Sequence, residues 1–498
     1  MTIPFKNIPQ QIRVPLFYAE LDNSRANTAQ ANQRALIIGQ VTAAAITAGT
    51  VPNIPVISQG VTDAQTVGGP NSMLALMTAW YRKNDQFGEV WYLPLADDSN
   101  ATAASGSITI ASAPTAGGTL YLYVAGIRYA IPVLPTQTPA QIATFIAATL
   151  SADAGCPVQA TNTANSAVVT ITAVNKGPCG NDIDLRLNYL GPIGGETMPV
   201  GLGVQITALT GGATAPSLSA ALANLGDQPF DFIVCPYNDT TSLSALQQFM
   251  NDQTGRWSYA KQLYGHVFTA LRGTLGALTT FGVTRNNQHE TVMGFNDSPT
   301  PNWLWAAALG GAVAVSTRAD PAQPLQTVPL AGVLAPPVQS RFQLTDRNTL
   351  LYDGISTFTV AQDGTVAIEN LITTYQKNAF GNPDNSYLEV ETLHTLAYVM
   401  RFLRTMVTSK YARVKLAADG TRFAPGSNIV TPSIIKGELV AAYRQLESQG
   451  LVQNGDAFKS GLVVQLDPSN PSRVNVLFPP TLINQLRIFA LLNQFRLL

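Results

Sequence analysis

The sequence predicts an α/β fold interrupted by an inserted β segment, and three observations carry that prediction. Strand and helix patterns alternate over residues 35–95; at about Asp97 the texture changes to Ser, Thr, Ala and Gly; and after about Thr210 the alternation returns. In the first stretch, ALIIGQ and VWYLPL flank SMLALMTAWYRKN. Ser72 is the expected N-cap of that helix, and Met73, Leu76, Met77 and Trp80 fall on one face. Apolar strands on either side of such a helix imply a parallel crossover, because parallel neighbours need a long connection.

The inserted segment reads as short strands, SITIA, TLYLYV, IRYAIPV, AVVTITAV and IDLRL, separated by turn-rich breaks. One helix interrupts them, with Thr138 as cap, Pro139 in the first turn, and Ile142, Phe145 and Ile146 expected to face inward. After it come helix SLSAALANL closed by Gly226, strand DFIVCPY, helix SLSALQQFMND, strand YGHVFTA, a further helix, strand HETVMG and an apolar helix from Trp303. The apolar run Trp303–Val315 is too short for the roughly 20 residues that span a bilayer, so it reads as a buried helix.

From about Tyr387 a third region begins with a helix over Leu388–Val407. Glu389 and Glu391 lie near its start and Arg401, Arg404 and Lys410 near its end, as the helix dipole prefers. A second helix runs from Thr431 and Pro432 to Gly450, followed by strands GLVVQL and RVNVLF and an apolar tail. The expected organisation is an N-terminal arm (1–30), an α/β domain (31–97 plus 210–386), an inserted protruding β domain (98–209), a C-terminal α+β domain (387–480) and a C-terminal arm (481–498).

A chain of 498 residues exceeds what one core supports. Charged residues make up only 12% of it, about half the usual share. Such a surface suits packing against copies of itself, because every charge at an interface must be paired or desolvated. The 29 Lys and Arg are balanced by 30 Asp and Glu without a basic run, which argues against nucleic acid. Cys156, Cys179 and Cys235 are odd in number and lack CxxC spacing, so neither a zinc site nor a disulfide framework is expected, and a reduced, cytosolic setting fits. MTIPFKNIPQQ lacks the pattern of a signal peptide.

The two ends are unusual. Ile488, Phe489, Leu491, Leu492, Phe495, Leu497 and Leu498 would together expose more apolar surface than a monomer usually tolerates. Near the start, IRVPLFYAEL puts Val14, Leu16 and Tyr18 on one side of an extended strand, and Pro15 disfavours a central strand position. Both ends read as arms added to another subunit's sheet, and packing back onto their own domain is the alternative that the residues leave open.

Catalytic signals are absent or weak. Gly354-Ile355-Ser356-Thr357-Phe358 lacks the second glycine of a nucleophile elbow. His266, His289 and His394 each sit in or beside an apolar strand or helix, where a core or surface role suits them better than a triad. Asp231 and Asp239 flank a strand end, and turn or cap duty explains them. No GxxxxGK[ST] occurs, Gly201-Leu202-Gly203 lacks the third glycine of a dinucleotide fingerprint, and His289-Glu290 is not part of HExxH. No cofactor or metal is expected, and no enzyme activity.

Several long stretches nevertheless carry a family signature: RVPLFYAELDNS, NSMLALMTAWYRKN followed by VWYLPLAD, DPAQPLQTVPLAGVLAPP, RNTLLYDGIST, ITTYQKNAFGNPDNSYLEVET, KYARVKLAADGTRF and NQLRIFALLNQFRL. With these in order along essentially its whole length, the chain resembles the tail sheath proteins of contractile-tailed bacteriophages, most closely the Mu-like branch. The resemblance implies a subtilisin-like doubly wound α/β domain without the protease triad, a decorating β domain and a C-terminal α+β domain lining an inner wall. It also implies six-subunit rings stacked helically around a tail tube, contracting from a metastable extended state to drive the tube through the host envelope.

Carried onto this chain, the arms are Val14, Leu16, Tyr18 and Leu21 at one end and Leu486, Ile488, Phe489, Leu491, Leu492, Phe495 and Leu497 at the other. The implied receiving strands hold Leu462, Val463, Val464, Leu466, Val474, Val476 and Leu477. Lys410, Arg413 and Lys415 form a local basic stretch that would face the tube, a solvated helix end being the plainer account. The implied partners are further copies of the chain, the tail tube protein, and baseplate and tail terminator proteins, with no nucleic acid and no membrane insertion. The implied location is the virion tail, after assembly in the host cytoplasm. The same architecture serves phage-tail-like bacteriocins and contractile injection particles, and a serine hydrolase on the α/β layer is the alternative of another class.

Overall fold

The structure, a computed structural model, describes residues 33–497. The N-terminal arm expected at Val14, Leu16, Tyr18 and Leu21 lies outside the described residues, as does Leu498. Strand β1 (Ala35–Gln40) is buried at every position, as a strand covered on both faces must be. Helix α1 (Ala43–Thr47), strand β2 (Val56–Ile57) and helices α2 (Val61–Gly68) and α3 (Met73–Asn84) follow. The Ser72 hydroxyl accepts from the backbone N–H of Ala75 at 3.2 Å and caps α3. Strand β3 (Val90–Leu95) then pairs in parallel with β1, from Ala35 opposite Val90 to Gln40 opposite Leu95, so the crossover expected from the sequence is present.

Beyond β3 the chain leaves this sheet. Strands β4 (Ser105–Ser112), β5 (Gly118–Val124) and β6 (Ile127–Val133) precede helix α4 (Pro139–Ala152). Strands β7 (Val158–Asn162), β8 (Val168–Ala173), β9 (Leu185–Leu187) and β10 (Gly203–Thr210) follow. They form two antiparallel sheets, β10-β4-β8-β7 and β6-β5-β9. β7 and β10 carry no strong apolar run and were not among the strands expected. Thr138 and Gln141 make a capping box on α4. Phe145, expected to face inward, is 41% exposed. Ile142, Ala143, Ile146, Ala147 and Leu150 form the buried stripe instead: two alanines let the helix lie close, and the bulky ring is left on its flank. The chain enters and leaves this region side by side, Thr102 bridging Ala213.

Helix α5 (Ser219–Ala223) leads to β11 (Phe232–Val234), α6 (Thr240–Met250), β12 (His266–Arg272), α7 (Leu275–Gly282), β13 (Glu290–Phe295) and α8 (Asn302–Ala319). β11 joins β1 in parallel, Ala35 opposite Phe232. The sheet order is β13-β12-β11-β1-β3-β2, with β2 the antiparallel edge. α8 is buried nearly throughout, and its two glycines explain how it packs so closely. A Cβ on Gly310 would lie 2.4 Å from Val234 Cγ2, and one on Gly311 2.6 Å from the Tyr81 carbonyl oxygen of α3. Helix α9 (Leu344–Tyr352) and the hairpin of β14 (Thr357–Val360) and β15 (Val366–Asn370) complete this part.

Helix α10 (Val390–Tyr411) starts in the main core, where Val390 packs, and ends in a second one. β16 (Lys415–Leu416), β17 (Ile429–Val430), α11 (Pro432–Ser448), β18 (Val452–Gln453) and α12 (Gly455–Gly461) follow. Last come β19 (Val463–Leu466), β20 (Val474–Leu477) and β21 (Thr481–Leu482). The second core centres on Tyr443 and Phe458, whose rings stack 3.7 Å apart. Two expectations are corrected here. Leu462 is not on a strand: it caps α12 and is 1% exposed, because this apolar side chain fills the second core. Residues 481 and 482 are not free arm: β21 pairs with β18, and the N–H of Ile483 donates to the Leu451 carbonyl at 3.1 Å.

Candidate assembly surface

Beyond Ile483 the chain runs to Leu497 with neither helix nor strand. Three side-chain contacts hold its beginning. The Gln485 amide donates to the Ala322 carbonyl at 3.4 Å, the Gln326 amide donates to the Leu486 carbonyl at 3.2 Å, and Arg487 Nη2 lies 2.8 Å from both Glu389 Oε2 and Glu391 Oε1. Every residue from Ile488 to Leu497 is then exposed. Leu486, Ile488, Phe489, Leu491, Leu492, Phe495 and Leu497 are 69–89% exposed. Uncovered aliphatic and aromatic side chains on an extended backbone are the materials of strand addition: the main chain supplies hydrogen bonds and alternate side chains enter pockets. The sequence reading missed Arg487, although a charge between Leu486 and Ile488 in an apolar run was the available signal.

Among the described residues β19 and β20 pair only with each other, Val463 opposite Leu477 and Leu466 opposite Val474. A two-stranded ribbon leaves an unpaired row of backbone groups on each strand. Val463, Val476 and Leu477 are exposed, whereas Val464, Leu466 and Val474 are half-buried. The turn is fixed by Asp467, whose carboxylate accepts from Ser469, Asn470 and Asn475. The bonds from Ser469 and Asn475 hold it well below the usual carboxylate range.

Of the basic stretch, Lys410 near the end of α10 pairs with Glu438 of α11. Arg413 and Lys415 are exposed. Lys410 thus lies in the last turn of α10, already paired, while Arg413 is in the short link to β16 and Lys415 begins that strand.

The side chains weighed for catalysis are engaged elsewhere. Ser356 is fully buried, and its hydroxyl donates to the Ile372 carbonyl and accepts from the Ile372 N–H, each at 3.0 Å. Asp239 caps α6, accepting from Ser242 N at 2.9 Å. Asp231 is paired with Arg401 at 2.5 Å; burial pushes its carboxyl up while Arg401 pulls it back. His266 shares a 2.8 Å hydrogen bond with Thr291, and His289 lies 2.9 Å from Asp252. His394 stacks on Phe232 at 5.4 Å between ring centres, and its pKa is lowered to about 3 by burial and by Arg401. Among the described residues these hydrogen bonds bring no serine to a histidine, and no group of three metal-ligating side chains converges.

Comparison with known proteins bears on the family of the chain. The family model described as phage tail sheath protein central domain matches residues 211–374, and that described as phage tail sheath C-terminal domain matches residues 382–496. The Mu-like prophage FluMu tail sheath protein of Haemophilus influenzae is 40% identical over 498 residues, covering 99% of this chain and 100% of that one. Among solved structures, the sheath tail protein of Desulfitobacterium hafniense aligns over 94% of this chain and 100% of its own, at 13% identity and a TM-score of 0.45. A chain of the anti-feeding prophage baseplate in its contracted state aligns over 97% of this chain and 98% of its own, at 11% identity and a TM-score of 0.46. On the full-length relative and the two matching models, the chain belongs to the phage tail sheath protein family, as a sheath subunit of a Mu-like contractile tail.

Proposed function

We propose that this subunit links to its neighbours by exchanging extended terminal segments, and that the sheath contracts by repacking those linked subunits rather than by any chemistry of its own. The observation that carries the reading is the exposed apolar run from Ile488 to Leu497, held at its root by Arg487. In this reading Leu486 to Leu497, and Val14 to Leu21 at the other end, add as strands to neighbouring subunits. The open edges of Val463–Leu466 and Val474–Leu477 receive them. A strand supplied by a neighbour satisfies backbone groups that a two-stranded ribbon leaves unpaired, so subunits stay joined while they rotate.

Six copies form a ring, and rings stack helically around the tail tube between baseplate and tail terminator, after assembly in the host cytoplasm. Lys410, Arg413 and Lys415 face an acidic tube. The α/β layer is of the subtilisin-like kind without its triad, and the subunit is not an enzyme: the Ser356 hydroxyl is spent on Ile372. Energy for contraction is stored at assembly in a bistable packing, so the barrier that holds the extended state is the functional quantity.

The test is deletion of Leu486 to Leu498, with electron microscopy of the purified chain. Wild type is expected to form hollow sleeves or stacked six-fold rings, and the truncated chain to remain folded and monomeric. Normal sleeves from the truncated chain would rule out the exchange.

A further inference from the structure

Phe380 is 89% exposed, yet the loop that carries it is tightly built. Lys377 bridges Pro383, and Asn378 N donates to the Asn382 carbonyl at 2.9 Å. The Asn378 side-chain oxygen accepts from Phe380 N at 3.0 Å and from Asn382 N at 3.1 Å, closing the tip. Gly381 takes φ +80°, a conformation that costs other residues strain. At the base, Asn286 Oδ1 accepts from Gln376 N at 2.7 Å and Lys377 N at 3.0 Å, while the Gln376 amide donates to the Gly282 carbonyl at 3.0 Å. An exposed aromatic on a loop fixed in advance suits an interface anchor, because little ordering entropy remains to be lost on docking.

The same chain carries a hollow of about 220 Å³ between α9 and β14. Phe358 and Phe342 line it, with Arg341 and Arg347 on its walls and Thr359, an exposed residue, beside them. Arg347 is held by Glu369 at 2.8 Å. Arg341 donates to the Pro336 carbonyl at 2.9 Å and has no carboxylate partner among the described residues. A cavity of about 150 Å³ already takes a benzene ring, and an arginine against the face of such a ring adds a cation–π attraction. The hollow thus has the size and the chemistry for one aromatic side chain.

We propose that Phe380 of one subunit docks into the Arg341, Phe342, Arg347 and Phe358 hollow of a second copy of this chain. The inference rests on the sheath-interface reading above. Two points favour a second copy over another partner. Knob and hollow are different patches of one molecule, and such a head-to-tail contact propagates into rings or helical filaments, the geometry a sheath requires. The loop also springs from the root of the C-terminal segment: Ile372 bridges Glu389, and Glu389 holds Arg487. The stretch that carries Phe380 and the segment offered to a neighbour therefore share one root.

The test pairs assembly with cross-linking on the full-length chain. F380A is expected to raise the concentration needed for sleeve formation about 30-fold, as loss of one anchor does, with an unchanged melting temperature, and F380W to restore it. T359W, which fills the mouth, should reproduce the defect. Because the three native cysteines are buried, mixing F380C with T359C chains under mild oxidation should give covalent dimers, and the double variant a ladder of oligomers. Sleeves that form from F380A at wild-type concentration, or a mixture that cross-links only F380C to itself, would overturn the knob and leave the sheath-interface reading standing. A wild-type chain that never assembles, even with its tube, would overturn both.

Discussion

Arg487 Nη2 lies 2.8 Å from Oε1 of Glu391, a carboxylate whose side chain is wholly buried. That contact is the last firm hold before the exposed run begins. Its position follows from α10: Glu391 lies in the first turn, where the helix dipole favours an anion, and its other duty is to accept the Leu325 N–H at 2.7 Å. Replacing Arg487 leaves a buried carboxylate with a hydrogen bond but no cation. R487A should therefore cost about 2–3 kcal/mol in urea unfolding and open the chain after Ile483 to protease. R487M combined with E391Q should recover much of that loss, because it removes the unpaired charge. A single R487A that unfolds like wild type would show that the pair does not hold the segment.

Ser356 provides a second check. Both its hydrogen bonds go to the Ile372 backbone inside a sealed environment. S356A strips a donor and an acceptor from buried backbone groups and should cost about 2 kcal/mol. Wild type should show no labelling by a fluorophosphonate probe. Stoichiometric labelling at Ser356 would bring back the hydrolase reading.

Much of the layer architecture was legible in the sequence, because Ser72, Thr138, Asp239 and Thr431 announce helix starts by side-chain chemistry that acts locally. β7 and β10 were not, since their half-polar residues become strands only through pairing, β7 with the next strand β8 and β10 with distant β4. Phe145 was misplaced because periodicity weighs a bulky residue as core, whereas the structure spends that face on Ala143 and Ala147. At the candidate site the apolar character of the C-terminal residues was plain in the sequence, but their exposure was one of two readings left open there, and the structure shows it. The roles of Arg487 and the loop around Phe380 were not legible, because their partners lie 98 and about 90 positions away in sequence and only the fold brings them together.

Arg272, at the end of β12, ties the inserted region to the main sheet. Its Nε lies 2.5 Å from Asp182 Oδ1, its Nη1 donates to the Ser298 carbonyl at 2.5 Å, and Nη2 reaches the Asp182 and Thr300 carbonyls at 3.2 and 3.3 Å. A lysine has the charge but not the planar fork. R272K should therefore recover only part of the roughly 2–3 kcal/mol lost in R272A. Hydrogen exchange should accelerate around residues 178–187 and 297–302 in both variants. Exchange that stays at the wild-type rate there would mean that other contacts hold the inserted region.

Stability should fall with acid through the histidines at the buried face of α10, His394 on the helix and His266 on β12. His394 packs on Phe232 and Phe268, with the His266 ring 6.0 Å away and Arg401 further along the same helix. Burial lowers both histidines, His394 from 6.5 to about 3 and His266 well below its ordinary value. In the unfolded chain they take up protons near pH 6.5, and in the folded chain they do not, so proton uptake favours unfolding. Their contribution is complete above about pH 6.5 and is lost as pH falls toward 3, at up to about 1.4 kcal/mol per pH unit for each group. Asp231, which faces them through Arg401, opposes this, because burial raises its pKa and acid then favours the folded form. Comparing wild type with H394F separates the two effects, since the phenylalanine keeps the ring stack and removes the titration. Between pH 6.5 and 4.5 the wild type should lose stability more steeply than H394F, and parallel curves would mean that His394 is not held neutral on the buried face of the helix.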